Sequence, residues 1–292
     1  MRSKVKWFRI GAIGLALLAM GAFLYLDRSS GGLIGFSAKR SLLGNGGSPS
    51  RVEINGINLY YETYSADRIG DPILILHGDF AYVETMHHQI RALSRSHFVI
   101  APESRAHGRS TDVKNMALSY SLMADDMVAL LDTLNIEKVS IFGWSGGGNV
   151  GMDMAIRHPD RVKRLVTYGS NFSTDGVDEN LLQELTPDNP NLDFFRSFYK
   201  RVSPDPDQWP IFVGKMKTMW QTHPTLRADD LAEIAAPTLI MAGEFDLVPH
   251  SHTEEMAKSI PNAKLVIIEG EDHFAPLMAP KKVNPHVTDF LE

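Results

Sequence analysis

The chain has 292 residues, of which 43% are hydrophobic, so it is long enough for one large domain or two ordinary ones with a sizeable core. Its 35 acidic and 29 basic residues give a net charge of -6, and no long basic run could neutralise a nucleic-acid backbone, so nucleic acid is not expected as a partner. The absence of cysteine excludes disulfides, thiolate metal sites and a cysteine nucleophile.

The first thirty residues carry the charge pattern of a targeting or membrane segment. An uncharged stretch over residues 10–26 follows four basic side chains, Arg2, Lys4, Lys6 and Arg9. A buried core helix explains poorly why the nearby basic residues all lie on the N-terminal side. We expect residues 1–30 to be an uncleaved signal anchor, with a cleaved signal peptide as the alternative. An anchor would place the remaining chain on the extracytoplasmic side of the membrane, periplasmic in a bacterium, and cleavage would give a secreted protein.

Residues 31–50 have the composition of a flexible linker, since the run GNGGSPS at residues 44–50 favours no single backbone conformation. A folded domain is predicted over residues 51–292. It opens with a hairpin, because the turn pair Asn55-Gly56 separates a short apolar run from a second run at residues 57–64.

Beyond the hairpin, apolar runs alternate with amphipathic stretches. The predicted buried strands are residues 73–76, 98–101, 139–142, 165–168, 238–241 and 265–268. Apolar residues at helical spacing predict helices at residues 83–93, 122–134 and 150–157. This alternation is typical of an α/β fold, with a mostly parallel sheet and helices on both faces.

The alternation is interrupted at residues 171–235, which are rich in Pro and Phe and are predicted to form an inserted helical cap. Aromatic side chains in this segment either form the cap's own core or line a substrate cavity, and the structural role is the more common one. These residues are Phe194, Phe195, Phe198, Tyr199, Trp209, Phe212 and Trp220.

The pentapeptide GWSGG, residues 143–147, follows the predicted strand that ends at Phe142 and precedes a helical segment. This is the context of a nucleophile elbow, in which a strained strand-to-helix turn presents the central serine and needs flanking glycines. A phosphate loop would need a Lys followed by Ser or Thr, and a dinucleotide site would need Gly-x-Gly-x-x-Gly near the first strand. Neither is present, so the sequence predicts Ser145 as a nucleophile.

A serine nucleophile needs a base and an acid that orients the base. His273 and Asp246 follow the last two predicted strands and complete the chain order Ser, Asp, His. Asp272 and Glu244 are alternative acids, but Asp272 is adjacent to His273, and Glu244 directly follows the Gly that ends its strand.

An oxyanion hole needs two donors, and the backbone amide of Gly146 is one candidate. The run HGDF at residues 77–80 follows a strand and is placed to supply the second, from the amide of Asp79 or Phe80. The acidic side chain of Asp79 is unexpected there, since a carboxylate facing the oxyanion would oppose it. Asp79 must point away, be protonated or serve another purpose, and a turn-forming role is the alternative.

These landmarks occur in the same order as in the α/β-hydrolase superfamily, which the chain resembles from about Val52 to Glu292. A further landmark, at residues 103–110, is similar to the family's D-x-R-G-x-G-x-S turn, with Glu103 and Ala106 in place of the usual Asp and Gly. The resemblance implies that Ser145 is the nucleophile, His273 the base and Asp246 the acid that orients the base. It also implies that the backbone amides of Gly146 and of Asp79 or Phe80 are the oxyanion donors.

The resemblance also implies two-step acyl transfer on a small-molecule ester or related acyl compound, with no metal or organic cofactor. Asp at the elbow, typical of dehalogenases and epoxide hydrolases, is absent, as are the His-Gly-Gly-Pro-Gly and His-Gly-Gly-Gly motifs of other groups. A cofactor-free perhydrolase or oxygenase on the same fold and a non-catalytic binding domain remain alternatives. The natural substrate and the oligomeric state do not follow from the sequence.

Overall fold

The computed structural model describes residues 47–68 and 70–292 of the chain. The strands are, in chain order, β1 (Gly47–Ile54), β2 (Ile57–Tyr64), β3 (Gly70–Leu76), β4 (His97–Pro102), β5 (Val139–Trp144), β6 (Val162–Tyr168), β7 (Thr238–Phe245) and β8 (Ala263–Asp272). The helices are α1 (His87–Leu93), α2 (Tyr120–Thr133), α3 (Gly146–Arg157), α4 (Glu179–Glu184), α5 (Asp193–Val202), α6 (Trp209–Thr222), α7 (Ala228–Leu231), α8 (His250–Ser259), α9 (Ala275–Met278) and α10 (Pro280–Leu291).

The eight strands form one sheet in the order β1-β2-β4-β3-β5-β6-β7-β8. β1 pairs with β2, and β2 with β4, in antiparallel fashion, whereas every later pairing is parallel. The six strands predicted from apolar runs all lie in this sheet, so the predicted α/β class with a mostly parallel sheet is confirmed. All six residues of β5 are buried, as expected for a central parallel strand that is covered on both faces.

Two hydrophobic cores lie on opposite faces of the sheet because successive side chains of a strand point to opposite sides. On β5, Ile141 belongs to one core and its neighbour Phe142 to the other. The first core also contains Met127 of α2, whereas the second contains Val287 of α10. The parallel strands are therefore held between two helical layers, which fixes their carboxyl ends in space.

The first strand begins earlier than the sequence predicts. β1 includes residues 47–50, which were expected to belong to the linker at residues 31–50, and Gly47 pairs with Tyr64. A Cβ on Gly47 would lie 2.5 Å from the Tyr64 ring, so glycine is needed for this pairing. Pro49 is tolerated because β1 is an edge strand. The predicted turn is confirmed, since Asn55 and Gly56 both have positive φ angles, as a tight hairpin requires.

The connection from β6 to β7 contains α4 to α7, and the predicted cap at residues 171–235 lies within it. Within residues 47–68 and 70–292, no helix combines the length and the apolar character that crossing a bilayer requires. The predicted anchor at residues 1–30 and the linker up to residue 46 lie outside the described residues.

Candidate active site

Ser145 lies at the sharp turn between the end of β5 and the start of α3. Its φ of 54° and ψ of -124° are strained for a residue with a side chain. The Ser145 amide donates a hydrogen bond to the carbonyl of Tyr168 over 2.7 Å, which ties the turn to the neighbouring strand β6. The serine is therefore held in the geometry expected of a nucleophile elbow.

Glycine is required at two flanking positions because main chain approaches them closely. A Cβ on Gly143 would lie 2.5 Å from the main-chain carbon of Gly147, across the turn. A Cβ on Gly147 would lie 2.3 Å from the carbonyl oxygen of Leu76, at the end of β3. Neither main-chain segment can move away without disturbing the sheet. Steric crowding therefore explains why both positions of the motif are glycine.

Asp246 and His273 form a hydrogen-bonded pair beyond the ends of β7 and β8. The Nδ1 of His273 donates to Oδ1 of Asp246 over 2.8 Å, and both side chains are largely buried. Burial disfavours the ionised Asp246. The hydrogen bond and charge of His273, together with the amides of Val248 and Gly243, outweigh burial and hold the pKa of Asp246 below its ordinary value. This arrangement leaves Nε2 of His273 as the ring nitrogen that can exchange a proton.

The two alternative acids have other partners. The Asp272 carboxylate accepts a hydrogen bond from the amide of Phe274 over 2.8 Å, and Glu244 accepts one from the amide of Gly270 over 2.8 Å. The structure thus places Asp246, and neither alternative, against the imidazole of His273.

Ser145 and His273 line the same pocket, so the three residues singled out from the sequence converge there. The further lining residues are Asp79, Tyr120, Gly169, Asn171, Gly176, Val177, Asp178, Leu181, Trp220, Leu247 and Val248. No hydrogen bond joins the Ser145 hydroxyl to His273 in the part of the chain that the structure describes, a separation that is common before substrate binds.

The segment at residues 77–80 lies against the elbow, since a Cβ on Gly78 would lie 3.2 Å from Cβ of Ser145. Phe80 has a φ of 62°, an uncommon conformation for a side chain of its size. The amides of Asp79, Phe80 and Gly146 have no hydrogen-bond acceptor among residues 47–68 and 70–292. They are available as donors to a ligand, as the sequence predicted for the oxyanion hole.

The Asp79 side chain points into the pocket. Its Oδ2 atom accepts two hydrogen bonds, from the hydroxyl of Tyr120 over 2.8 Å and from Nε1 of Trp220 over 2.7 Å. Burial raises the pKa of Asp79 to about 6, against the opposing effect of these two bonds and of the charge on His273. Of the alternatives that the sequence left open for Asp79, the one in which its carboxylate points away from the site is excluded, and a pKa of about 6 makes the protonated form accessible near neutral pH.

The turn at residues 103–110 has a structural role. Glu103 is fully buried, accepts hydrogen bonds from the amides of Val83 and Arg109, and forms an ion pair with the Arg109 side chain. Ala106 has a φ of 66°, in the region that favours glycine, which explains the family's usual Gly at this position. None of these side chains lines the pocket with Ser145.

His77 also acts as a structural residue beneath the site. Its Nδ1 donates to the carbonyl of Gly78 over 2.8 Å, and its Nε2 accepts from the amide of Ser104 over 3.0 Å. Burial lowers the pKa of His77 to about 4, so the ring is neutral at physiological pH. The ring thereby joins the loop after β3 to the turn after β4.

Most cap aromatics named from the sequence pack against other cap or core residues. Phe80 contacts Trp209, Phe212 and Trp220 at ring-centroid distances of 6.1, 5.3 and 5.8 Å. Of the seven cap aromatics, Trp220 alone lines the pocket with Ser145 in the described part of the chain. The cap therefore uses most of these aromatic residues as a core, whereas Trp220 reaches the pocket with Ser145 and Phe194 is exposed.

The sequence offered Trp220 as one of seven aromatics that could line a cavity, but it did not indicate that Tyr120 and Trp220 bind Asp79. They lie 41 and 141 positions from Asp79, so no local spacing relates them. The one signal that could have found them is the unexplained carboxylate itself, because a buried charge needs donors from elsewhere in the fold.

Comparison with known proteins shows which fold family the chain resembles. A family model described as alpha/beta hydrolase fold matches residues 71–207, and a model described as TAP-like protein matches residues 214–292. The human serine hydrolase BPHL is 26% identical over 258 residues, which cover 83% of this chain and 86% of that protein.

Two further relatives are also hydrolases. The (E)-2-((N-methylformamido)methylene)succinate hydrolase of Acinetobacter baylyi is 26% identical over 242 residues, covering 76% of this chain and 91% of that protein. A crystal structure of a meta-cleavage product hydrolase from Pseudomonas fluorescens superposes with a TM-score of 0.68 at 23% identity, covering 82% of this chain and 96% of that one. At this identity the structural likeness concerns the fold.

Proposed function

Because this chain belongs to the α/β-hydrolase superfamily and is an enzyme of that type, we propose that it is a serine hydrolase that cleaves a carboxylic ester or related acyl bond. The observation that carries the proposal is the pairing of His273 with Asp246 over 2.8 Å, beside a pocket that also contains Ser145 on its elbow. The expected substrate is a small acyl compound, since the pocket has a volume of about 50 Å³ and is lined in part by the cap residues Leu181 and Trp220.

In the first step, Oγ of Ser145 attacks the substrate carbonyl, and Nε2 of His273 takes the hydroxyl proton. The carbonyl oxygen becomes an oxyanion, which accepts hydrogen bonds from the amides of Gly146 and of Asp79 or Phe80. His273 then passes its proton to the leaving group as the carbon–oxygen bond breaks, which leaves an acyl group on Ser145.

In the second step, His273 takes a proton from a water molecule, and the resulting hydroxide attacks the acyl carbonyl. The bond to Oγ of Ser145 breaks, and the serine recovers its proton from His273. Asp246 stays ionised throughout and stabilises the imidazolium that forms twice in each cycle. Neither step requires a metal or an organic cofactor.

A fluorophosphonate probe tests this proposal, because it reacts only with an activated serine. We expect mass spectrometry to locate the adduct on Ser145, and the Ser145→Ala variant to remain unlabelled. Acyl esters of graded chain length would then define the preferred substrate. Ester turnover without any adduct on Ser145 would exclude the acyl-enzyme mechanism.

Residues 1–30 are part of this proposal as a signal anchor, with the hydrolase domain on the extracytoplasmic side. The support is the basic cluster that precedes the uncharged stretch at residues 10–26. Cell fractionation combined with protease accessibility of intact cells tests the assignment. A full-length protein in the soluble cytoplasm, with Met1 still attached, would contradict it.

A further inference from the structure

The Asp79 carboxylate is held in one orientation by two donors from different parts of the fold. Tyr120 lies at the start of α2, and Trp220 lies near the end of the cap helix α6. Both donate to the same atom, Oδ2, at 2.8 and 2.7 Å. An indole N–H can only donate, so Oδ2 must remain an acceptor while this bond exists.

The other carboxylate oxygen faces the elbow. An ideal Cβ built on Gly146 would lie 2.2 Å from Oδ1 of Asp79, so the carboxylate fills the space that a side chain after Ser145 would occupy. Oδ1 has no hydrogen-bond donor among residues 47–68 and 70–292. The oxygen therefore lies against the Cα of Gly146, the residue whose amide the mechanism assigns to the oxyanion hole.

No Lys or Arg lines this pocket among the residues that the structure describes. The titratable groups that face Asp79 are Tyr120 on α2 and His273 beyond β8, and Asp178 before α4 lines the same pocket. An ionised Asp79 would repel the oxyanion, and the imidazolium that forms on His273 in the same step would have to offset two negative charges instead of one. When Tyr120 and Trp220 both keep donating to Oδ2, a neutral Asp79 carries its proton on Oδ1.

Building on the proposed acyl transfer, we propose that neutral Asp79 is a catalytic residue that donates a hydrogen bond from Oδ1 to the oxyanion formed at Ser145. It is a third donor beside the two backbone amides. Donors fixed in advance at the position where negative charge develops are among the strongest contributions to catalysis. Carboxylic acids kept neutral by a poorly solvated site can perform this task.

The titration of Asp79 supports the same role. Burial raises its pKa to about 6, so both protonation states are accessible near neutral pH. Formation of an oxyanion next to it places two like charges together and favours the protonated acid further. Asp79 is therefore protonated when the oxyanion forms, and activity falls at high pH, where Asp79 is ionised.

The test compares Asp79→Asn with the unaltered enzyme, using 4-nitrophenyl acetate as a neutral ester from pH 5 to 8.5. To keep both hydrogen bonds, the asparagine must direct its carbonyl to Tyr120 and Trp220, which turns its NH2 towards Gly146 as a permanent donor. We expect the ratio of kcat/KM, variant over unaltered enzyme, to be nearly constant below pH 6 and to rise by up to about tenfold per pH unit above it.

A further variant, Asp79→Ala, removes the donor. Its kcat is expected to fall about 10- to 1000-fold even at pH 5, as for loss of an oxyanion-hole donor. Asp178→Asn is the matched control, because it removes a carboxylate that lines the same pocket without facing Gly146. The ratio of kcat/KM for Asp178→Asn over that of the unaltered enzyme is not expected to rise with pH.

An indirect effect through His273 has the opposite sign. An ionised Asp79 attracts the imidazolium that forms on His273 in the first step, and the variant loses this attraction at the pH values where Asp79 is ionised, so the ratio would fall with rising pH. A flat or falling ratio for Asp79→Asn, or full activity of Asp79→Ala at pH 5, overturns the inference. Fluorophosphonate labelling distinguishes failure of this inference from failure of the proposed function. If Ser145 is labelled, such a result excludes only the donor role of Asp79. If Ser145 is not labelled, the acyl-enzyme mechanism is excluded as well.

Discussion

The indole of Trp144 donates a hydrogen bond from Nε1 to the main-chain carbonyl of His273 over 2.8 Å. The residue directly before Ser145 thus holds the loop that carries the histidine. Tyr168, on the next strand, donates to the carbonyl of Asp272 over 2.8 Å and holds the same loop from β6. The position of the base relative to the serine is therefore set by two side chains that take no part in proton transfer.

Trp144→Phe should lower kcat by about tenfold with little change in KM, because the ring still packs but the His273 carbonyl loses its donor. A buried carbonyl left without a partner also costs about 1 to 3 kcal/mol of stability. Steady-state kinetics and thermal unfolding measure the two effects. An unchanged kcat would show that this hydrogen bond does not position the base.

Ser145→Ala and His273→Ala should each lower ester hydrolysis by roughly four or more orders of magnitude, since the residues of an acyl-transfer triad act as a unit. Both variants should remain folded by circular dichroism. Ser96→Ala is the matched control, because Ser96 directly precedes the amino end of β4, whereas Ser145 follows the carboxyl end of β5. Near-normal turnover of Ser145→Ala would rule out covalent catalysis at this residue.

Asp79→Asn should stabilise the protein at pH 8 and have little effect at pH 4. A folded-state pKa of about 6, above the ordinary 3.8, means that the unaltered protein loses stability as pH rises from about 4 to 6. The loss is between about 1 and 3 kcal/mol, because a shift of about two pKa units corresponds to at most about 3 kcal/mol. Thermal unfolding across this pH range measures it, with the exposed Asp289→Asn as control for the change in net charge.

Gly146→Ala should destabilise the protein by about 1 to 3 kcal/mol, because the new methyl group overlaps the Asp79 carboxylate. In the Asp79→Ala background the same change should be neutral or stabilising, since alanine is favoured over glycine in a helix. Gly214→Ala on α6, with no atom within 4 Å of its Cβ position, is the matched control. Equal costs of Gly146→Ala in both backgrounds would refute the steric coupling, which a double-mutant cycle measures.

The sheet could be predicted from the sequence because its central strands are buried on both faces and therefore appear as continuous apolar runs. The C-terminal helix α10 was not predicted. It contains Pro285 within its span, and only one stripe, including Val283 and Val287, faces the core. Residues 47–50 were assigned to a linker, since glycine and proline give no sign of the main-chain pairing with β2.

The three residues of the candidate triad could be located because the ends of parallel strands converge on one edge of the sheet. Asp246 is preferred over Asp272 in the sequence because Asp272 is adjacent to His273, and in the structure Asp246 is the acid that contacts the imidazole. The surroundings of Asp79 could not be predicted at all. Its partners come from α2 and from the cap, and only the packed tertiary structure brings them together.

The bond from Trp220 to Asp79 also connects the cap to the charge of the site. This bond favours the ionised carboxylate, so by thermodynamic linkage an ionised carboxylate binds the cap helix more tightly than a neutral one. Protonation of Asp79 therefore weakens its hydrogen bond with Trp220 on α6. Since Trp220 donates this bond from its indole, its fluorescence emission should change with the ionisation state of Asp79.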